Sequence, residues 1–76
     1  MVRAYVMVKT ATGASERIID AARDLPEITE VHIVAGDFDL IAEVEVEEVY
    51  EVLHAAASKL QGLDGIVETR TYIALE

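Results

Sequence analysis

Between Val31 and Val46 the chain reads VHIVAGDFDLIAEVEV, two β-branched runs that meet at Gly36-Asp37-Phe38-Asp39. From Phe38 to Val46 the alternation is strict: Leu40, Ala42, Val44 and Val46 face one way, Ile41, Glu43 and Glu45 the other. Such a period of two belongs to a strand, and Val31–Val34 supplies a second, shorter one beside it. Gly36 opens positive φ to the connection, as a tight hairpin turn requires. An antiparallel hairpin is therefore expected at the middle of the chain.

Outward from that hairpin the period changes on both sides. Ala14 to Leu25 places Ile18, Ala22 and Leu25 on one helical stripe, with Glu16, Arg17, Asp20, Arg23 and Asp24 mostly away from it. Glu47 to Leu60 returns to helical spacing, with Val49, Leu53, Ala56 and Leu60 as its stripe. Glu47 and Glu48 suit the positive N-terminal end of that helix. The outermost segments, Arg3–Thr10 and Ile66–Leu75, are strands again, which makes the order β-α-β-β-α-β. A shift of 35 residues superposes Ile18 on Leu53, Ala21 on Ala56, Leu25 on Leu60, Ile28 on Leu63 and Val31 on Ile66, so the two halves are repeats of one unit. Two such halves predict a ferredoxin-like α+β fold, an antiparallel sheet of order 4-1-3-2 with both helices on one face.

That arrangement leaves a sheet face bare. Tyr5 and Met7 oppose Val6 and Val8, and Tyr72 opposes Ile73, so the strands carry apolar residues on both sides. A chain of 76 residues, 53% apolar and without Cys, has neither disulfide nor thiolate-held metal to support a small core. Sheet-to-sheet pairing of two copies, in the manner of a dimeric α+β barrel, is the expected cover. Residues 1–76 are read as one domain; with no apolar run near the ~18 residues of a membrane span and no secretory signal, it is expected to be cytoplasmic and away from membranes.

Candidate chemistry is sparse. His32 and His54 fit no metal-ligand spacing; they read as surface or rim residues, and no metal is expected. Glu43 and Glu45 share a strand face, but Glu47, Glu48 and Glu51 continue the run and mark a solvated acidic edge. Ser15 and Ser58 lack a nearby His and Asp, and no glycine-rich phosphate loop occurs, so no catalytic residue or cofactor is expected. Two polar features stand out instead. Gly36-Asp37-Phe38-Asp39 is either a plain turn, its Asp side chains bonding the local backbone, or a ligand loop. Thr69 and Thr71 put two hydroxyls on one strand face, although strand propensity alone accounts for Thr there.

Ala4-Tyr5-Val6-Met7-Val8-Lys9, Leu25-Pro26-Glu27-Ile28, Val31 leading to Gly36-Asp37-Phe38-Asp39-Leu40, and the ending Gly65 to Leu75 together resemble the effector-binding (RAM) domain of the Lrp/AsnC family of transcriptional regulators. Phe38 stands where Tyr is more usual, with one hydroxyl fewer. Because the chain opens on the first strand of that domain, it resembles stand-alone members that lack the helix-turn-helix part. The resemblance implies a non-enzymatic, oligomeric domain that binds an amino acid or related metabolite at subunit interfaces and regulates amino acid metabolism. A ring such as an octamer or decamer, and pairing with full-length Lrp/AsnC-type regulators, are implied as well. The chemistry of a zwitterion then points to ligand contacts from Gly36, Asp37, Phe38, Asp39, Thr69 and Thr71. A carboxylate from Asp37 or Asp39 would take the ammonium group, while the Gly36 backbone and the Thr hydroxyls would take the carboxylate. Two other readings remain open at this point: a small enzyme of the dimeric α+β barrel type, and a structural assembly module.

Charge makes the first prediction. Six Lys and Arg against 15 Asp and Glu leave a net charge of −9, with no basic stripe to neutralise phosphates. The purified chain should leave duplex DNA unshifted in a gel at physiological salt; a retarded band would contradict this electrostatic reading.

Overall fold

The computed structural model describes residues 1–75; Glu76 lies outside the described residues. The elements are β1 (Val2–Thr10), α1 (Ser15–Arg23), β2 (Ile28–Ile33), β3 (Leu40–Val46), α2 (Val49–Leu53) with a π-helical continuation (His54–Leu60), and β4 (Ile66–Ile73). They form one antiparallel sheet in the order β2-β3-β1-β4, the expected 4-1-3-2 read from the other edge. The second strand starts earlier than its β-branched run suggests, at Ile28, and β3 starts later, at Leu40. The backbone of Asp39 is still tied to Val34 and Val8, so the hairpin loop is ordered beyond the ends of the strands.

Alternation along β1 and β3 sorts the side chains as the patterning predicts. Ala4, Val6 and Val8 on β1 and Leu40, Ala42 and Val44 on β3 are buried and join one core with Ile18, Ile19 and Ala22 of α1 and Val52 of α2. Both helices therefore lie on this face. Helix α1 has Glu16 in its first turn and Arg23 in its last, matching the charges of its ends, and it stops just before Leu25-Pro26, where the residue preceding proline disfavours helical angles. Gly65 takes a φ of 101°, and a Cβ there would stand 3.1 Å from Ile18 Cδ1 and 3.2 Å from Ala14 Cβ. This glycine lets the turn before β4 lie directly on α1.

The second helix departs from the expected stripe. Val52, Ala55, Ala56 and Leu60 are buried, whereas Val49 and Leu53 remain 48% and 57% exposed. The winding also changes along its length. From His54 the helix follows the wider i→i+5 pattern, and Gln61 N–H still bonds Ala56 O at 3.1 Å. Each residue then advances through a smaller angle than in an α-helix. Ala56 and Leu60 swing back over Val52, and Leu53 is left outside.

One ion pair ties this helix to the first half of the chain. Lys59 Nζ donates to Glu27 Oε2 at 2.7 Å, and both side chains are more than half buried. The hydrogen bond from Lys59, helped by a backbone bond, holds the Glu27 carboxyl below the ordinary glutamate range. A lowered folded value means stability that is fully present above the ordinary value and lost as pH falls through the folded one. Lys59→Met should cost about 1 kcal/mol at neutral pH. Urea unfolding of the two proteins should converge as the medium is acidified; a pH-independent gap would refute the assignment.

Candidate functional site

The hairpin loop between β2 and β3 is held by three backbone-directed bonds. Val34 N–H donates to Asp39 O at 2.8 Å, Asp39 N–H to Val8 O at 2.9 Å, and Thr10 N–H to the Asp39 carboxylate at 2.8 Å. Gly36 has a φ of 152°, outside the range of most side-chain-bearing residues, and nothing lies within 4 Å of where its Cβ would be. The loop can therefore present its backbone openly. Its two acids differ. Asp39 is half-buried and also accepts from the Thr10 hydroxyl at 3.2 Å. Asp37 is exposed and has no hydrogen-bond or ion-pair partner among the described residues. The Asp39 side chain is thus tied to β1 and not to the local backbone of the turn, and Asp37 makes neither kind of bond among the described residues.

Within one chain the loop and the threonine pair do not meet. Thr69 and Thr71 stand opposite Val8 and Val6, so they point to the helix side of the sheet, with β1 lying between β4 and β3. Thr69 Oγ1 accepts from Gln61 Nε2 at 2.7 Å, and Thr71 is half-buried. The residue that does reach the loop is Arg70, which sequence reading passed over. Its guanidinium lies 5.7 Å from the Phe38 ring centroid, within cation–π range, and its Nε bonds Glu68 Oε2 at 3.2 Å. Alternation held the clue, because flanking threonines on one face put Arg70 on the other.

That other face is the bare one. Tyr5 sits across from Tyr72, and Met7 lies between Ile41 and Arg70. The tyrosines are 37% and 56% exposed on a surface that carries no helix. At one margin Arg3 bridges Glu43 at 3.2 Å and Glu45 at 3.7 Å, so the paired carboxylates of β3 are spent in ion pairs. His32 stands 3.4 Å from Glu30 on the edge strand β2, and both His32 and His54, at the start of the π-helical segment, are exposed. The surface depressions are shallow; that holding Gln61, Glu68 and Thr69, about 350 Å³, includes neither Asp37 nor Phe38.

The sequence from residue 3 to residue 76 matches the family described as the Lrp/AsnC ligand binding domain. The chain belongs to that family. Among its relatives, the proline dehydrogenase transcriptional activator of Rhodobacter capsulatus is 32% identical over 75 residues, covering 95% of this chain and 49% of that protein. The leucine-responsive regulatory protein of Escherichia coli K12 is 34% identical over 66 residues, 87% of this chain and 40% of that protein. The chain thus spans half the length, or less, of these Lrp/AsnC regulators. Among solved structures, TTHA0845 from Thermus thermophilus superposes with a TM-score of 0.95 at 28% identity, covering 100% of this chain and 95% of that one. A transcriptional regulator of Neisseria meningitidis, solved as a complex with L-Met, shares the fold with a TM-score of 0.88 at 17% identity, over 99% of this chain and 50% of that one.

Proposed function

We propose that this Lrp/AsnC domain is a non-enzymatic amino-acid sensor whose binding site is completed where subunits meet. The observation that carries the reading is the Asp37 carboxylate, without a partner among the described residues, on a loop fixed by backbone bonds. A zwitterion needs an acceptor for its ammonium group and donors for its carboxylate. Asp37 fits the first need; the open backbone at Gly36 and the hydroxyls of Thr69 and Thr71 fit the second. Phe38 supplies the apolar wall. Because β1 separates loop and threonines within one chain, the two sets come from different subunits. A relative named for its response to leucine supports an amino acid as the ligand class.

The bare sheet face is the first subunit contact. Its tyrosines, Met7 and Ile41 form an apolar centre, and the Arg3–Glu43–Glu45 cluster forms a polar margin, the usual division of a self-associating surface. Further contacts between dimers build a ring, and full-length Lrp/AsnC-type regulators, which share the domain, are partners of the same kind.

Three measurements test this reading. Sedimentation at micromolar concentration should give at least a dimer, and Tyr72→Glu should shift it toward the monomer; a monomeric parent chain would overturn the assembly. In a thermal screen of the standard amino acids, a specific binder at 100 times its Kd should stabilise the fold by about 2.7 kcal/mol. Asp37→Ala should then weaken that amino acid by about 1.5–3 kcal/mol in calorimetric titration, the usual worth of a charged hydrogen bond. Unchanged affinity in both Asp37→Ala and Thr71→Val would refute the pocket.

A further inference from the structure

We propose that Thr10, backed by Ser15, is a clasp that positions the effector loop through Asp39, so that Asp39 shapes the site while Asp37 alone meets the ligand. The proposal rests on the sensing reading above for its functional consequence, but its structural part stands on hydrogen bonds alone.

Geometry at the end of the β1–β3 ladder supplies the reason. Leu40, the first residue of β3, pairs with Val8, and Thr10 is the next β1 residue whose N–H turns toward that side. No backbone carbonyl of β3 extends that far. On the opposite side the β1–β4 register shifts between Lys9 and Thr10, and the Ala11 N–H goes to Gly65 O instead. Thr10 N–H thus lies beyond the end of the β1–β3 ladder, and an unpaired amide there would be costly. Asp39 fills the gap: its own N–H donates to Val8 O at 2.9 Å while its Oδ2 accepts from Thr10 N–H at 2.8 Å. The side chain acts as one more residue of strand.

Proton accounting extends the clasp to α1. The Thr10 hydroxyl donates its single hydrogen along the 3.2 Å contact to Asp39 Oδ2. The 3.0 Å contact between Thr10 Oγ1 and Ser15 Oγ is therefore a bond that Ser15 donates. Ser15 is the first residue of α1, directly after the N-cap Ala14, whose side chain has no polar atom to cap the helix. The direction Ser15→Thr10→Asp39 joins the start of a helix to the hairpin loop, and Asp39 Oδ2 receives two donors. An oxygen held in this way is a poor choice for a ligand ammonium group, whereas Asp37 is uncommitted.

Hydrogen exchange of the ligand-free full chain decides the structural part. In Thr10→Val the amides of position 10 and of Asp39 should exchange about tenfold faster, and Thr10→Ser should stay within about twofold of the parent. Asp39→Ala, which removes the acceptor of the Thr10 N–H, should speed the position-10 amide at least as much; unchanged exchange in both Thr10→Val and Asp39→Ala would overturn the clasp. Calorimetry with the amino acid that most raises the melting temperature decides the functional part. Thr10→Val should weaken it by about tenfold with rescue by Thr10→Ser, and Asp39→Asn should cost less affinity than Asp37→Asn. Faster exchange with unaltered affinity, or equal losses for the two Asn variants, would overturn the positioning role. If no standard amino acid shifts the parent melt, the sensing reading falls, while faster exchange in Thr10→Val still upholds the clasp.

Discussion

The structure hangs on β1, a strand bonded on both edges and loaded on both faces. Between β3 and β4 it has no free edge, and Ala4, Val6 and Val8 lie at 0–1% exposure beneath the helices. Tyr5 and Met7 face the opposite way, where no helix exists to cover them. A two-layer fold with both crossovers on one side cannot bury both faces of its central strand. The chain therefore either exposes aromatic surface to water or covers it with other subunits, and the burial of ~25 cal/mol per Å² of apolar area favours the second. The proposed self-association answers that shortage of cover.

The same strand sets the geometry of the candidate site. Val8 pairs with Leu40 on one side and Thr69 on the other, so the β2–β3 hairpin loop and the threonine pair are separated by the width of β1. Short side chains cannot close such a gap around a small ligand within one subunit. On the bare face, in contrast, Arg70 is long enough to reach the Phe38 ring past the same strand. The difference is one of reach and of face: threonine is short and turned toward the helices, arginine long and turned away.

The second half of the chain shows how packing overrides a repeat. The halves are equal in length and similar in pattern, yet α1 is an ordinary helix and its counterpart unwinds to π-helical turns after Leu53. Local spacing in Glu47–Leu60 fits an α-helical stripe through Val49 and Leu53. Core contacts select Val52, Ala55, Ala56 and Leu60. The small side chains of Ala55 and Ala56 allow a close approach to the sheet, and the Lys59–Glu27 bond anchors the rewound end. Periodicity along a sequence measures one winding, and the winding itself answered to tertiary contacts.

Read alone, the sequence determined the order β-α-β-β-α-β, the single sheet, the side of each strand that enters the core and the apolar character of the bare face. These are legible because they depend on residues two, three or four apart, and on glycines whose φ angles few other residues adopt. The sequence also singled out Gly36-Asp37-Phe38-Asp39, since polar residues in a tight connection stand out against apolar neighbours. Only the tertiary structure separated Asp39 from Asp37, because the donor that occupies Asp39 is Thr10, 29 positions away and brought close by strand register. It likewise turned Thr69 and Thr71 toward the helices, set Arg70 against Phe38 and rewound the second helix. Each of these depends on which distant residue stands opposite, and pairing across a sheet is a property of register that no local pattern contains.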